Sequence, residues 1–128
     1  MNRLLKDILR ALAVRTLARH HPTIVAICGS VGKTSTRRAV AAVLKRSFSA
    51  RESSKNFNNE IGVPLAVLGE KETGGRSPFA WLAILIRGVR TAYGSGGTYP
   101  ELLVLEMATD HPGDLKYLTG LARPDVVV

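Results

Sequence analysis

A chain of 128 residues that is 45% hydrophobic, with a mean hydropathy of +0.08, can bury one core but hardly two. Its single Cys28 excludes an internal disulfide. No apolar run approaches the roughly 20 residues that span a bilayer, the longest being the eight from Phe79 to Ile86. Arg10 and Arg15 interrupt the N-terminal region too often for a secretory signal, so a cytoplasmic protein is expected. The net charge of +8 is uneven. Residues 1–55 carry twelve Lys and Arg against Asp7 and Glu52, whereas residues 56–128 carry six against eight acids. A basic half commonly signals an anionic partner, whether nucleotide, nucleic acid or membrane surface.

Taken in order, Leu5, Ile8, Leu9, Leu12 and Leu17 recur at helical spacing among Arg3, Lys6, Arg10, Arg15 and Arg19. They predict a basic amphipathic helix over residues 1–21, ending before Pro22. Three roles stay open for it: docking on its own domain, peripheral contact with a membrane surface, or contact with another protein. His20 and His21 are expected in solvent at its end. A buried strand from Ile24 to Cys28 follows, then a glycine turn, then a helix from Lys33 to about Arg46 with Val40, Val43 and Leu44 as its inner stripe. Lys45 and Arg46 suit the negative end of that helix; Arg37 and Arg38, near its positive end, do not. Either both are solvated or an anion lies close by.

Phe48 to Arg51 reads as a short strand. Asn56, Asn58 and Asn59 mark a turn, and Pro64 suits the first turn of a short helix through Leu68. Phe79 to Val89 predicts an apolar helix, packed in the core or facing a membrane. Tyr93 to Pro100 is a glycine-rich connector. Leu102 to Leu105 is a second buried strand, ending in Glu106; Asp110, His111 and Asp114 follow, with a helix expected from Pro112 to about Leu121. Asp125 to Val128 begins a further strand at which the chain stops, so a truncated domain is expected. The whole predicts an α/β fold, like that of P-loop NTPases: a mostly parallel open sheet, centred on strands near 24–28, 102–106 and 125–128, with helices on both faces.

Strand, glycine turn and helix N-terminus in succession make a phosphate site, because the free N–H groups and the helix dipole point at an anion. Here the turn is Gly29-Ser30-Val31-Gly32, followed by Lys33, Thr34 and Ser35. Lys33 is expected on the outer phosphates of a nucleotide and the Thr34 hydroxyl on Mg²⁺. The longer pattern G-x-x-x-x-G-K-[ST] would put glycine at 27, where Ile27 stands. Glu106, an acid at the C-terminal end of a buried strand beside such a loop, is expected to share the Mg²⁺ with Thr34.

GSVGKTST (29–36), NFNNEIGVP (56–64), LLVLEMATDHPGD (102–114) and RPDVVV (123–128) together resemble the central ATPase domain of the Mur ligases. The resemblance runs from about Thr23 to Val128, and the asparagine-rich segment carries most of it. Within the family it is strongest to members that add D-alanyl-D-alanine to a UDP-muramyl tripeptide. It implies an ATP-dependent amide ligase of peptidoglycan synthesis, which phosphorylates a carboxylate for attack by an amino acid or dipeptide amine. It also implies that Gly29 to Ser35 wrap the triphosphate, that Lys33 and Glu106 are catalytic, and that Asn56, Asn58 and Asn59 line the nucleotide. His111 matches a family position without a role to carry over. The family's preceding substrate-binding domain and later parts are not in these 128 residues, so this chain alone is expected to be an inactive, monomeric ATP-binding part. Two alternatives are a folylpolyglutamate or cyanophycin synthetase-like ligase, and a non-catalytic, nucleotide-dependent binder of membrane or nucleic acid. No nucleic-acid recognition motif is present, and no nucleic-acid partner is expected.

Overall fold

The computed structural model describes residues 2–29, 31–54, 57–94, 97–108 and 111–128. Strands β1 (Thr23–Ile27), β2 (Ala50–Glu52), β3 (Leu102–Glu106) and β4 (Val126–Val127) form one sheet in the order β2-β3-β1-β4, and every pairing is parallel. The two apolar runs, β1 and β3, lie side by side at its middle, buried on both faces as parallel strands usually are.

Side chains alternate across that pair. Ile24, Ala26, Leu103 and Leu105 face the larger core, which also takes in α1 (Arg3–His20), α3 (Gly62–Val67) and α5 (Asp114–Leu121). Val25, Ile27 and Val104 face α2 (Lys33–Leu44) on the opposite side. Helix α4 (Pro78–Tyr93) lies outermost, laid on α1 with Gly88 against Leu12 and Leu68. Local chemistry sets the helix ends. Asn2 accepts from the Leu4 N–H, Ser77 from the Ala80 N–H with Pro78 next to it, and His21 closes α1 in a left-handed conformation before Pro22.

The N-terminal helix docks on its own fold, since Leu9 and Ala13 are wholly buried between the sheet side and α4. Several expectations need correction. The inner row of α2 is Arg37, Ala41 and Leu44, with Val40 at its edge. Val43 falls two positions beyond Ala41, on the far side, and is 68% exposed. The fifth helix starts at Asp114 and not at Pro112, because Gly113, with φ of 89°, makes the turn that begins it. β4 is an edge strand, paired with β1 alone and exposed, where a central one was expected. His20 is not simply solvated: its ring stacks on Tyr99 with centroids 4.4 Å apart, and Nε2 lies 3.0 Å from the Thr91 carbonyl.

Tyr99 closes this edge of the core. Its hydroxyl donates to the Val67 carbonyl at 2.6 Å, and burial pushes the phenol up to about 12, although the nearby Arg51 charge pulls it partly back. The folded state therefore disfavours the phenolate. The stabilisation is whole below the ordinary phenol range and is lost as pH rises toward 12. Denaturant titrations at about pH 9 and about pH 11 should show that loss, and Tyr99→Phe should remove this part of it.

Candidate functional site

The site forms at the C-terminal edge of the two central strands. Ile27 and Glu106 are register partners, so the glycine turn leaves β1 beside the acid that ends β3. Gly29 (φ 124°) and Gly32 (φ 78°) both occupy the left-handed region, where a Cβ is strained whatever room surrounds it. Gly32 caps α2 with no side-chain hydrogen bond, so the first N–H groups of the helix face the loop without a side-chain partner. Val31 is 91% exposed at the turn. Lys33 Nζ donates to the Gly29 carbonyl at 2.8 Å, which holds it over the loop. Ser30 and Asn56 lie outside the described residues. Ser35 is exposed in the first turn of α2.

Thr34, Asn58 and Glu106 are brought together from three separate stretches. The Thr34 hydroxyl lies 3.3 and 3.5 Å from the two Glu106 carboxylate oxygens, and Asn58 Nδ2 donates to Glu106 Oε1 at 3.2 Å. An octahedral magnesium ion with ligands at about 2.0–2.1 Å sets neighbouring oxygens about 3.0 Å apart, so the Thr34 and Glu106 oxygens suit one edge of such an ion. Among the described residues no cluster of three or more His, Cys, Asp or Glu could hold a metal.

Asn59 is placed differently. Its Oδ1 accepts from the Gly62 and Ile61 N–H groups at 2.8 and 3.1 Å, so it starts α3 and does not reach Glu106. It does line an open cleft of about 510 Å³, together with Ala108, His111, Asp114 and Tyr117. His111 is largely exposed there, with Nδ1 3.5 Å from Asp114 Oδ2. Asp110 lies outside the described residues. Cys28, just ahead of the turn, is half-buried; burial pushes its thiol up, and the Lys33 charge draws it partly back.

Sequence reasoning missed the residue that holds Glu106 from behind. Arg37 is buried, with Nη1 3.1 Å from Glu106 Oε2 and Nε 3.1 Å from Glu52 Oε2. Lys45 reaches the other Glu52 oxygen at 3.2 Å. Of the two alternatives the sequence left open, solvation holds for exposed Arg38 and a nearby anion for Arg37. The signal was its place near the positive end of α2, where an arginine needs an anion to be tolerated. Ser53, which accepts from the Glu106 N–H, and Gly62 were also missed. A Cβ on Gly62 would sit 2.4 Å from the Phe57 Cα, so only glycine lets the asparagine turn close onto α3.

A parallel sheet with a glycine turn opening α2 and an acid on the adjacent strand end defines an α/β fold of the phosphate-loop nucleotide-binding class. No family model matches the chain. It is 30% identical over 120 residues to UDP-N-acetylmuramoyl-tripeptide–D-alanyl-D-alanine ligase of Bacillus subtilis, covering 94% of this chain and 21% of the relative. It is 32% identical over 106 residues to the ligase of that name from Mycobacterium leprae, covering 83% and 16%. The crystal structure of MurF ligase from Thermotoga maritima in complex with ADP superposes with a TM-score of 0.64 at 32% identity, over 94% of this chain and 22% of that one. The chain is thus similar, over most of its own length, to one segment of these ligases, and spans about a fifth of those relatives' length.

Proposed function

We propose that this chain is the ATP-binding part of an ATP-dependent C–N ligase of the Mur type, acting in peptidoglycan precursor synthesis in the cytoplasm. In that reading residues 22–128 are the N-terminal part of the central ATP-binding domain and residues 1–21 are the basic helix ahead of it, in a monomer. The relatives' names supply the substrates: a UDP-muramyl tripeptide carboxylate and the amine of D-alanyl-D-alanine. A carboxylate oxygen attacks the γ-phosphorus and ADP leaves. The amine nitrogen then attacks the acyl carbon, phosphate leaves, and the amine gives up a proton.

The chain's own residues are suited to the first step. The turn from Gly29 to Thr34 and the N-terminus of α2 cradle the triphosphate, and Lys33 exchanges its Gly29 carbonyl for the transferring phosphate. Thr34 and Glu106 would hold a magnesium ion, which would supply positive charge to the phosphates. Arg37 and Asn58 fix the direction in which the Glu106 carboxylate points. Phosphoryl transfer asks for positioning and charge neutralisation, and these groups provide both without a nucleophilic side chain.

The observation that carries this reading is the 3.3 Å approach of Thr34 to Glu106 beside the glycine turn. Calorimetric titration of ADP with and without magnesium tests it. Binding should strengthen with magnesium, and Thr34→Ala or Glu106→Gln should weaken the magnesium-dependent binding at least about tenfold, or about 1.4 kcal/mol. Equal affinity in both variants would remove the proposed metal edge. Assaying the longer protein with muramyl tripeptide against folate separates this ligase from its folate-type relatives.

A further inference from the structure

We propose that the outer face of α4 docks on an anionic bilayer surface, a role separate from the nucleotide site. Phe79, Leu82, Ile86, Val89 and Tyr93 are 83%, 54%, 49%, 48% and 61% exposed. Their spacing of three, four, three and four residues sets them on one side of the helix, within about 80° of arc at 100° per residue. The opposite side, with Ile84, Gly88 and Ala92, is the one buried on α1. Five large apolar side chains in one stripe are more than scattered surface exposure accounts for.

Charge decides what covers the stripe. From Thr73 to Pro100 the sequence holds Arg76, Arg87 and Arg90 and no acid, and the acids beside α4, Glu70 and Glu72, lie on its Ala80, Ala83 and Arg87 flank. Arg87 is engaged by Glu70 at 2.7 and 2.9 Å, whereas exposed Arg90 borders the stripe. From the neighbouring helix, the Arg15 guanidinium lies 5.0 Å from the Tyr93 ring, and Arg19 is exposed one turn further on. Leu4 and Ile8 of α1, 64% and 37% exposed, add apolar surface. A second copy pairing through this stripe would set arginines against arginines, which disfavours self-association. The matching surface is apolar at its centre and negative around it, as acyl chains beneath anionic headgroups are. Among the described residues no helix is long and apolar enough to cross a membrane, so the contact is peripheral. The sequence left such contact open for both helices; in this proposal α1 gives mainly the basic rim, and α4 the apolar face.

Sedimentation with phosphatidylcholine vesicles, with and without phosphatidylglycerol, tests this. The protein should pellet with the anionic vesicles and release as salt is raised. Leu82→Gln with Ile86→Gln, both exposed and so expected to leave the thermal melt unchanged, should weaken partitioning at least about tenfold. Arg15→Gln and Arg90→Gln should each cost about fivefold. Failure to pellet, equal pelleting with neutral vesicles, or full binding by the Leu82→Gln, Ile86→Gln variant would overturn the proposal. So would a dimer in sedimentation velocity that this variant dissolves, or a longer natural protein that ignores vesicles to which the 128-residue chain binds.

Discussion

If the proposed function holds, Lys33→Ala should lower the ligase rate of the longer protein about 10²–10³-fold, as expected when one charge partner of a transition state is removed. Lys33 stands at the first position of α2, and its ammonium is held 2.8 Å from the Gly29 carbonyl. That bond is within the loop and exposed, so alanine should leave the fold intact while taking away the Lys33 charge at the turn. The rate should fall more than ADP affinity, since charge builds on the transferring phosphoryl group and not on ADP at rest. Steady-state rates and ADP titration on the same variant separate the two. An unchanged rate would take Lys33 out of the mechanism.

Arg37→Met should destabilise the fold by about 3–5 kcal/mol, the usual range when one member of a buried ion pair is removed. The guanidinium bridges Glu52 and Glu106, with Arg37 and Glu106 side chains both 4% exposed, so methionine leaves a buried carboxylate without its counter-charge. Arg37→Lys should recover only part of the loss, because one ammonium cannot donate along two fixed directions as Nε and Nη1 do. Adding Glu106→Gln to Arg37→Met should restore much of the stability by neutralising the orphaned acid, without restoring magnesium-dependent ADP binding. Denaturant unfolding of the parent, Arg37→Met, Glu106→Gln and the double variant measures this coupling. If Arg37→Met unfolds like the parent, the pair contributes nothing.

The main local elements were legible in the sequence because local rules suffice for them. Uninterrupted apolar runs give the two central strands, a glycine turn before Lys33 gives the phosphate loop, and the periodicity of residues 3–17 gives α1. Thr34 and Glu106 could be matched across 72 positions because the loop's chemistry calls for an acid on the adjacent strand, and the register of Ile27 with Glu106 supplies one. The asparagine segment could be located, but not divided into Asn58, which turns to the acid, and Asn59, which starts a helix.

The sequence by itself determined a basic α/β chain with a phosphate loop, because backbone preferences and apolar runs act over a few residues. Only the tertiary structure decided that Arg37 is an interior counter-ion, that β4 sits at an edge, and that α4 keeps one apolar side outward. Those outcomes depend on which distant groups arrive beside a residue, and an arginine's burial is tolerable only once Glu52 and Glu106 have been carried to it.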